Sequence, residues 1–237
     1  MSDPKRELSR NENRLLARLP AEEMEQLRPH LEEVWMEQGE RLIEPDQPIQ
    51  YIYFPTGMLG SLVTILEDGA TVESGSVGRE GMIGIPILLD MPTTPMETLA
   101  QIPGYALRIK SKIFKEIFDK GGKLHSLSHR YIHTLFVVAS QSAACNRRHQ
   151  IRQRLCRWLL MSSDGVGSNQ INLTQEYLAA MLGVRRSGVT EAALELQGKG
   201  LIRYHRGRVE ILERKKLEAM ACECYYLVKN EFDRLLA

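Results

Sequence analysis

The sequence predicts an α+β chain: an antiparallel, jelly-roll-like β-roll, one long helix, and a helical C-terminal part carrying a single β-hairpin. Three observations lead there. Short apolar segments separated by turn residues follow one another from about residue 34 to 110, without intervening helical stretches. A 4-3-4-3 apolar pattern then runs from Leu124 to Cys145. Beyond Arg147 the pattern is helical except for one basic hairpin. The expected divisions are residues 1–121, 122–149 and 150–237.

The first 30 residues read as short helices, with Leu15, Leu16, Leu19, Met24, Leu27 and Leu31 at helical intervals and Pro20 opening the second segment. Strands are expected at Ile49 to Phe54, Leu59 to Leu66, Ala70 to Val77, Thr98 to Ile102 and Tyr105 to Ile109. Asp68-Gly69 gives a hairpin signal. Gly75, Gly78, Gly81 and Gly84 punctuate the next stretch. A helix over Ser111 to Phe118 ends at Gly121-Gly122, and the long helix begins there.

On that helix Leu124, Ser128, Tyr131, Leu135, Val138, Ser142 and Cys145 form a heptad seam, with Ile132, Phe136, Ala139 and Ala143 as a second stripe beside it. One stripe can pack on the roll and the other on a partner helix. The seam, with Leu124, Tyr131, Leu135, Val138 and Ser142, is read as a homodimer interface. His125, His129 and His133 recur every four residues; metal binding and pH sensing are weighed there against exposed spacers, and no metal site is assigned.

Further on, a helix is expected over Ile151 to Met161, a loop at Asp164 to Ser168, two helices meeting at Gly183, strands flanking Arg206-Gly207, and a last helix from about Lys215 to Leu236. The four cysteines, Cys145, Cys156, Cys222 and Cys224, are expected to be reduced. Cys222 and Cys224 fall within the expected last helix, about 200° apart around its axis, and so read as ordinary helical residues rather than a chelating pair.

Composition is that of a globular protein, 43% hydrophobic and 26% charged. No run approaches the roughly 18 apolar residues of a membrane helix, and Met1 to Glu7 lack the apolar core of a secretory signal, so a cytoplasmic address without membrane contact is expected. The net charge of +1 hides an asymmetry. Cys145 to Lys216 holds 14 Lys and Arg against 6 Asp and Glu, while the rest holds 17 against 24. A basic block beside an acidic remainder points to a polyanionic partner for one part. No Ser-His-Asp, Cys-His or paired-carboxylate arrangement emerges, so no catalytic residue is assigned.

Leu173 to Leu196 carry the functional signal. Leu178, Met181 and Leu182 mark one helix's inner face and Val189, Ala192, Ala193 and Leu196 that of the next, while Gly183 permits a sharp turn. This is a helix-turn-helix whose second helix enters a major groove. Thr174, Gln175, Arg185, Arg186, Ser187, Gly188 and Thr190 are its expected DNA-binding residues. Arg203, His205, Arg206 and Arg208 make the hairpin a basic wing, with Arg206 and Arg208 on the flanking backbone.

In this segment the chain resembles the Crp/Fnr family of bacterial transcription regulators, from Leu173-Thr174 through Gly183 to Val189 in order and spacing, and the resemblance extends over nearly the whole length. It implies an effector-sensing β-roll of the cyclic-nucleotide-binding type, a dimer helix and a winged helix-turn-helix. It also places Arg186 on the family's base-reading arginine. Ser187 stands for a common glutamate, and Glu191 for an arginine that often reads a base, so a different DNA motif is implied. Gly84-Ile85 replaces the family's Gly-Glu, and Pro95-Met96 replaces the Arg-Ser or Arg-Thr that grips a cyclic phosphate. Cyclic nucleotide binding is therefore not expected, with Arg79 and Arg108 the nearby cations that could act as substitutes. No cysteine precedes Cys145, which disfavours an iron-sulfur cluster.

The expected partners are double-stranded DNA as a promoter palindrome, a second copy of the chain, RNA polymerase and an unidentified small effector, with no cofactor. Two rival readings stay open. In one the roll binds a small ligand and DNA binding is secondary. In the other the roll is an enzyme's active site, although Gly81 to Met96 offers only Asp90 as a titratable group.

Overall fold

A computed structural model describes residues 13–67, 69 and 71–237; Met1 to Glu7, Asp68 and Ala70 lie outside the described residues. Two antiparallel sheets form the roll. In spatial order the first holds β1 (Glu32–Met36), β7 (Gly104–Lys110) and β3 (Tyr51–Pro55). The second holds β2 (Arg41–Ile43), β6 (Glu97–Ile102), β4 (Leu59–Ile65) and β5 (Thr71–Val77). Strand β3 pairs with β7 from Tyr51 opposite Lys110 to Pro55 opposite Ala106. Ile52, Phe54, Leu107 and Ile109 share one face of this pair and are buried, as a packed sheet face requires. Helix α2 (Ser111–Phe118) closes one side, setting Phe114 at 5.7 Å from Phe54 between ring centroids.

A short helix, α1 (Ala21–Leu27), governs where the long helix starts. The Glu23 carboxylate accepts N–H bonds from Lys123 (2.8 Å) and Leu124 (2.7 Å), satisfying donors left open at the N-terminus of α3 (Gly122–Arg148). The seam of α3 then lies against the chain's own roll. Leu124, Tyr131, Leu135 and Val138 are buried in the roll's core, and Tyr131 donates its hydroxyl hydrogen to Met82 O at 3.1 Å. Ser142 accepts a hydrogen bond from Arg157 at 2.8 Å. The expected interface set is thus corrected: these side chains already have partners within one protomer. The second stripe faces outward, with Phe136 71% exposed and Ala139 and Ala143 also exposed.

Two further expectations are corrected in the C-terminal part. Helix α4 (Ile151–Val166) continues through Asp164-Gly165 instead of ending at Met161. Gly165 stays helical because it is pressed on the backbone of Gly78, and Arg79 N–H donates to Gly165 O at 2.9 Å. The last helix is broken into α7 (Arg214–Met220) and α8 (Cys224–Leu235). Cys222 sits in the break, so the angular argument that separated it from Cys224 does not apply. Val228, Phe232, Leu235 and Leu236 join the core of the roll, whereas the elements from α4 to α7 build a second core around Trp158, Leu178, Val189 and Leu217.

Candidate nucleic-acid interface

Helices α5 (Gln175–Leu182) and α6 (Arg186–Gly198) form the two-helix unit, joined at Gly183 in left-handed backbone (φ 60°), which glycine adopts without strain. Thr174 caps α5 by accepting Tyr177 N–H at 3.3 Å. The wing is a three-stranded sheet that holds, in spatial order, β8 (Gln170–Asn172), β10 (Arg208–Ile211) and β9 (Ile202–His205). Its tip is a two-residue turn in which both Arg206 (φ 47°) and Gly207 (φ 76°) take positive φ, matching the twist of the strands. Strand β8 lies where only a loop and a helix approach were expected.

The structure gathers the expected residues at one end of this domain. Leu173 N–H donates to Gly207 O at 2.7 Å, which holds the wing tip beside Thr174. Tyr204 hydroxyl donates to Leu173 O at 2.8 Å, and the Arg186 charge reaches Tyr204. Burial nevertheless pushes the Tyr204 phenol up to about 12, keeping it a neutral donor. Arg185, Arg186 and Ser187 are exposed where α6 begins, and Arg206 and Arg208 are exposed on the wing. The first turn of α6 has no side-chain cap, leaving its N–H groups and positive dipole end for an anion.

Four of the expected residues, Gln175, Gly188, Thr190 and Arg203, have internal duties. Thr190 Oγ1 lies 2.8 Å from Gln175 Oε1 and 3.0 Å from Arg186 O, bracing α5 against α6. Gly188 is half-buried, and a Cβ there would come 2.8 Å from Ile151 Cδ1, so its role is close packing on α4. On the wing, Arg203 is paired across strands with Glu210 at 2.6 Å. Sequence reasoning missed the supports: Gln197, which accepts Tyr204 N–H at 2.7 Å, and Arg154, which donates to Leu182 O at the end of α5. Neither carries a local signal, because both act across elements.

Arg79 and Arg108, the two cations named as substitutes, have different surroundings in the roll. Arg108 is bound to Glu32 at 3.1 Å and lies over the Tyr51 ring at 4.4 Å. Arg79 lies against Gly167 and lines a cavity of about 180 Å³ with Arg14, Glu80, Asp164, Lys229 and Asp233, between the roll and the C-terminal helices. Pro95 is exposed and Met96 half-buried.

Residues 153–220 match the Crp-like helix-turn-helix domain family. The chain carries a Crp-like helix-turn-helix domain on a Crp/Fnr fold. FixK2 from Bradyrhizobium japonicum superposes with a TM-score of 0.64 at 14% identity, covering 81% of this chain and 98% of its own. A CRP-family transcriptional regulator from Thermus thermophilus gives 0.63 at 17% identity, covering 79% and 96%. The c-di-GMP-responsive global regulator CLP from Xanthomonas campestris gives 0.59 at 15%, covering 81% and 99%. No curated protein matches the sequence. No helix among the described residues is long and apolar enough to cross a membrane. The chain thus combines the roll, the long helix and the winged helix-turn-helix that its sequence implied.

Proposed function

We propose that this protein is a sequence-specific DNA-binding transcription regulator that acts as a homodimer, with α6 in the major groove and the wing on the flanking backbone. The observation that carries this reading is the exposed set Arg185, Arg186 and Ser187 at the uncapped start of α6, beside Arg206 and Arg208 on the wing. Among the described residues none of these four arginines makes an ion pair, whereas Arg152, Arg203 and Arg214 nearby are all paired. Arginines without acidic partners are suited to guanine edges and phosphates.

Dimerisation runs through the outward stripe of α3, where Ile132, Phe136, Ala139 and Ala143 present apolar surface with small residues that permit close helix approach. A two-fold dimer then reads a palindrome. The roll senses a signal other than cyclic nucleotide, since Ile85, Pro95 and Met96 supply no polar grip. The function is regulatory and not enzymatic. Selection from random duplexes with the purified protein tests the reading. A two-fold-symmetric enriched motif is expected; recovery of unenriched DNA at every salt concentration contradicts it.

A further inference from the structure

The C-terminal end of α3 meets the break between α7 and α8 in a cluster of soft ligands. Cys145, Cys222 and Cys224 are all buried, and with His149 they bring their donor atoms within 4.8 Å of one another. Cys145 Sγ is 3.6 Å from Cys222 Sγ, and Cys224 Sγ is 3.5 Å from His149 Nδ1. Two sulfurs on one tetrahedral zinc, each at about 2.3 Å, stand about 3.7 Å apart, so these separations are those of ligands sharing a single ion.

We propose that Cys145, His149, Cys222 and Cys224 bind one structural Zn²⁺, a site of three thiolates and one imidazole that clasps the long helix to the C-terminal helix. Local structure explains how four residues can converge. Cys145 and His149 lie four apart at the end of α3 and so share one face. Cys222 and Cys224 flank a turn, Cys224 opening α8, so their thiols are free of the opposed directions that a continuous helix would impose.

The surroundings fit a metal. Glu223 Oε1 lies 3.2 Å from His149 Nε2, which fixes the ring with Nδ1 toward the thiols, the carboxylate–histidine arrangement found behind zinc ligands. Gln141 Nε2 donates to Cys224 Sγ at 2.9 Å. Three thiolates and Zn²⁺ leave one net negative charge, and Arg157, itself buried, interacts with Cys145 to offset it. On binding, each thiol releases its proton to solvent and no oxidant or reductant is required. Zinc is chosen over harder ions because sulfur and imidazole form the whole donor set, and over a catalytic role because all four tetrahedral positions are filled by protein.

The test is metal analysis of the full-length protein purified under reducing conditions. About one zinc per chain is expected, falling to less than about a tenth of that in Cys222→Ser and Cys224→Ser. Because those variants can fail to fold, the wild type stripped by chelator is also titrated with Co²⁺. Sulfur-to-cobalt charge-transfer absorption and intense tetrahedral bands saturating at about one Co²⁺ per chain, and bleached by Zn²⁺, support the site. The proposal is overturned by a zinc-free protein whose cobalt spectrum is weak and octahedral, by a Cys145–Cys222 disulfide in the freshly purified chain, or by iron in place of zinc. None of these readouts depends on DNA.

Discussion

Gly78 and Gly165 meet backbone to backbone: a Cβ on Gly78 would come 2.3 Å from Gly165 Cα. The contact seats α4, the first helix of the DNA-binding part, directly on the end of β5. Gly78→Ala should therefore force the two elements apart, at a cost of about 1–3 kcal/mol for an overpacked site. Urea unfolding of both proteins checks this. A wild-type midpoint in Gly78→Ala would show that the junction is looser than described.

Glu73 ties the same two parts together by side chains. Trp158 on α4 donates Nε1–H to its carboxylate at 3.1 Å, and Ser61 hydroxyl also donates to it. Burial is the largest influence and pushes the carboxyl above the ordinary glutamate range, with the Ser61 and Trp158 hydrogen bonds acting against it. The folded chain thus holds a proton at pH values where the unfolded chain has released it. This contribution to stability is complete below the ordinary glutamate range and is lost as pH rises through the folded-state value. Glu73→Gln keeps an acceptor for Trp158 but cannot ionise, so its stability relative to wild type should increase with pH across that window. Unfolding measured over a pH series checks the slope; parallel profiles for the two proteins would contradict it.

The dimer should depend on Phe136 and not on the buried seam. Phe136→Glu places charge on the outward stripe and leaves the roll's core untouched, so a folded monomer is expected by sedimentation at micromolar concentration. Leu135→Glu should instead destabilise the protomer, because that side chain is only 8% exposed within a single chain. A Phe136→Glu protein that remains dimeric would move the interface elsewhere.

How far the fold was legible depends on where each signal lives. The helix Ser111–Phe118, the Gly183 turn and the Arg206-Gly207 hairpin tip were readable because local chemistry decides them. The seam of α3 was also readable, but its partner was not: two apolar stripes look alike until the roll covers one. Asp164-Gly165 has the composition of a loop and is helical through a tertiary contact with Gly78. The Cys145–Cys222 contact spans 77 positions and a helix break that no local pattern announced. At the interface the exposed arginines were legible, whereas the bracing roles of Thr190 and Gly188 appear only once α4, α5 and α6 are packed.

Arg186 is expected to read sequence, and Arg206 and Arg208 to add affinity. Arg186 opens α6, whereas Arg206 lies in the wing-tip turn and Arg208 starts the strand that follows it. A bidentate arginine–guanine pair gives about 1–3 kcal/mol of discrimination, counted twice in a two-fold complex. Arg206→Ala or Arg208→Ala should weaken selected and random duplexes alike and lower the salt slope by about one unit per lost contact. The direct measurement is a salt titration of Arg186→Ala against its selected duplex and a random duplex. Loss of affinity for the selected duplex far exceeding that for the random one is expected; an unchanged ratio of the two affinities would mean that α6 does not read the site through Arg186.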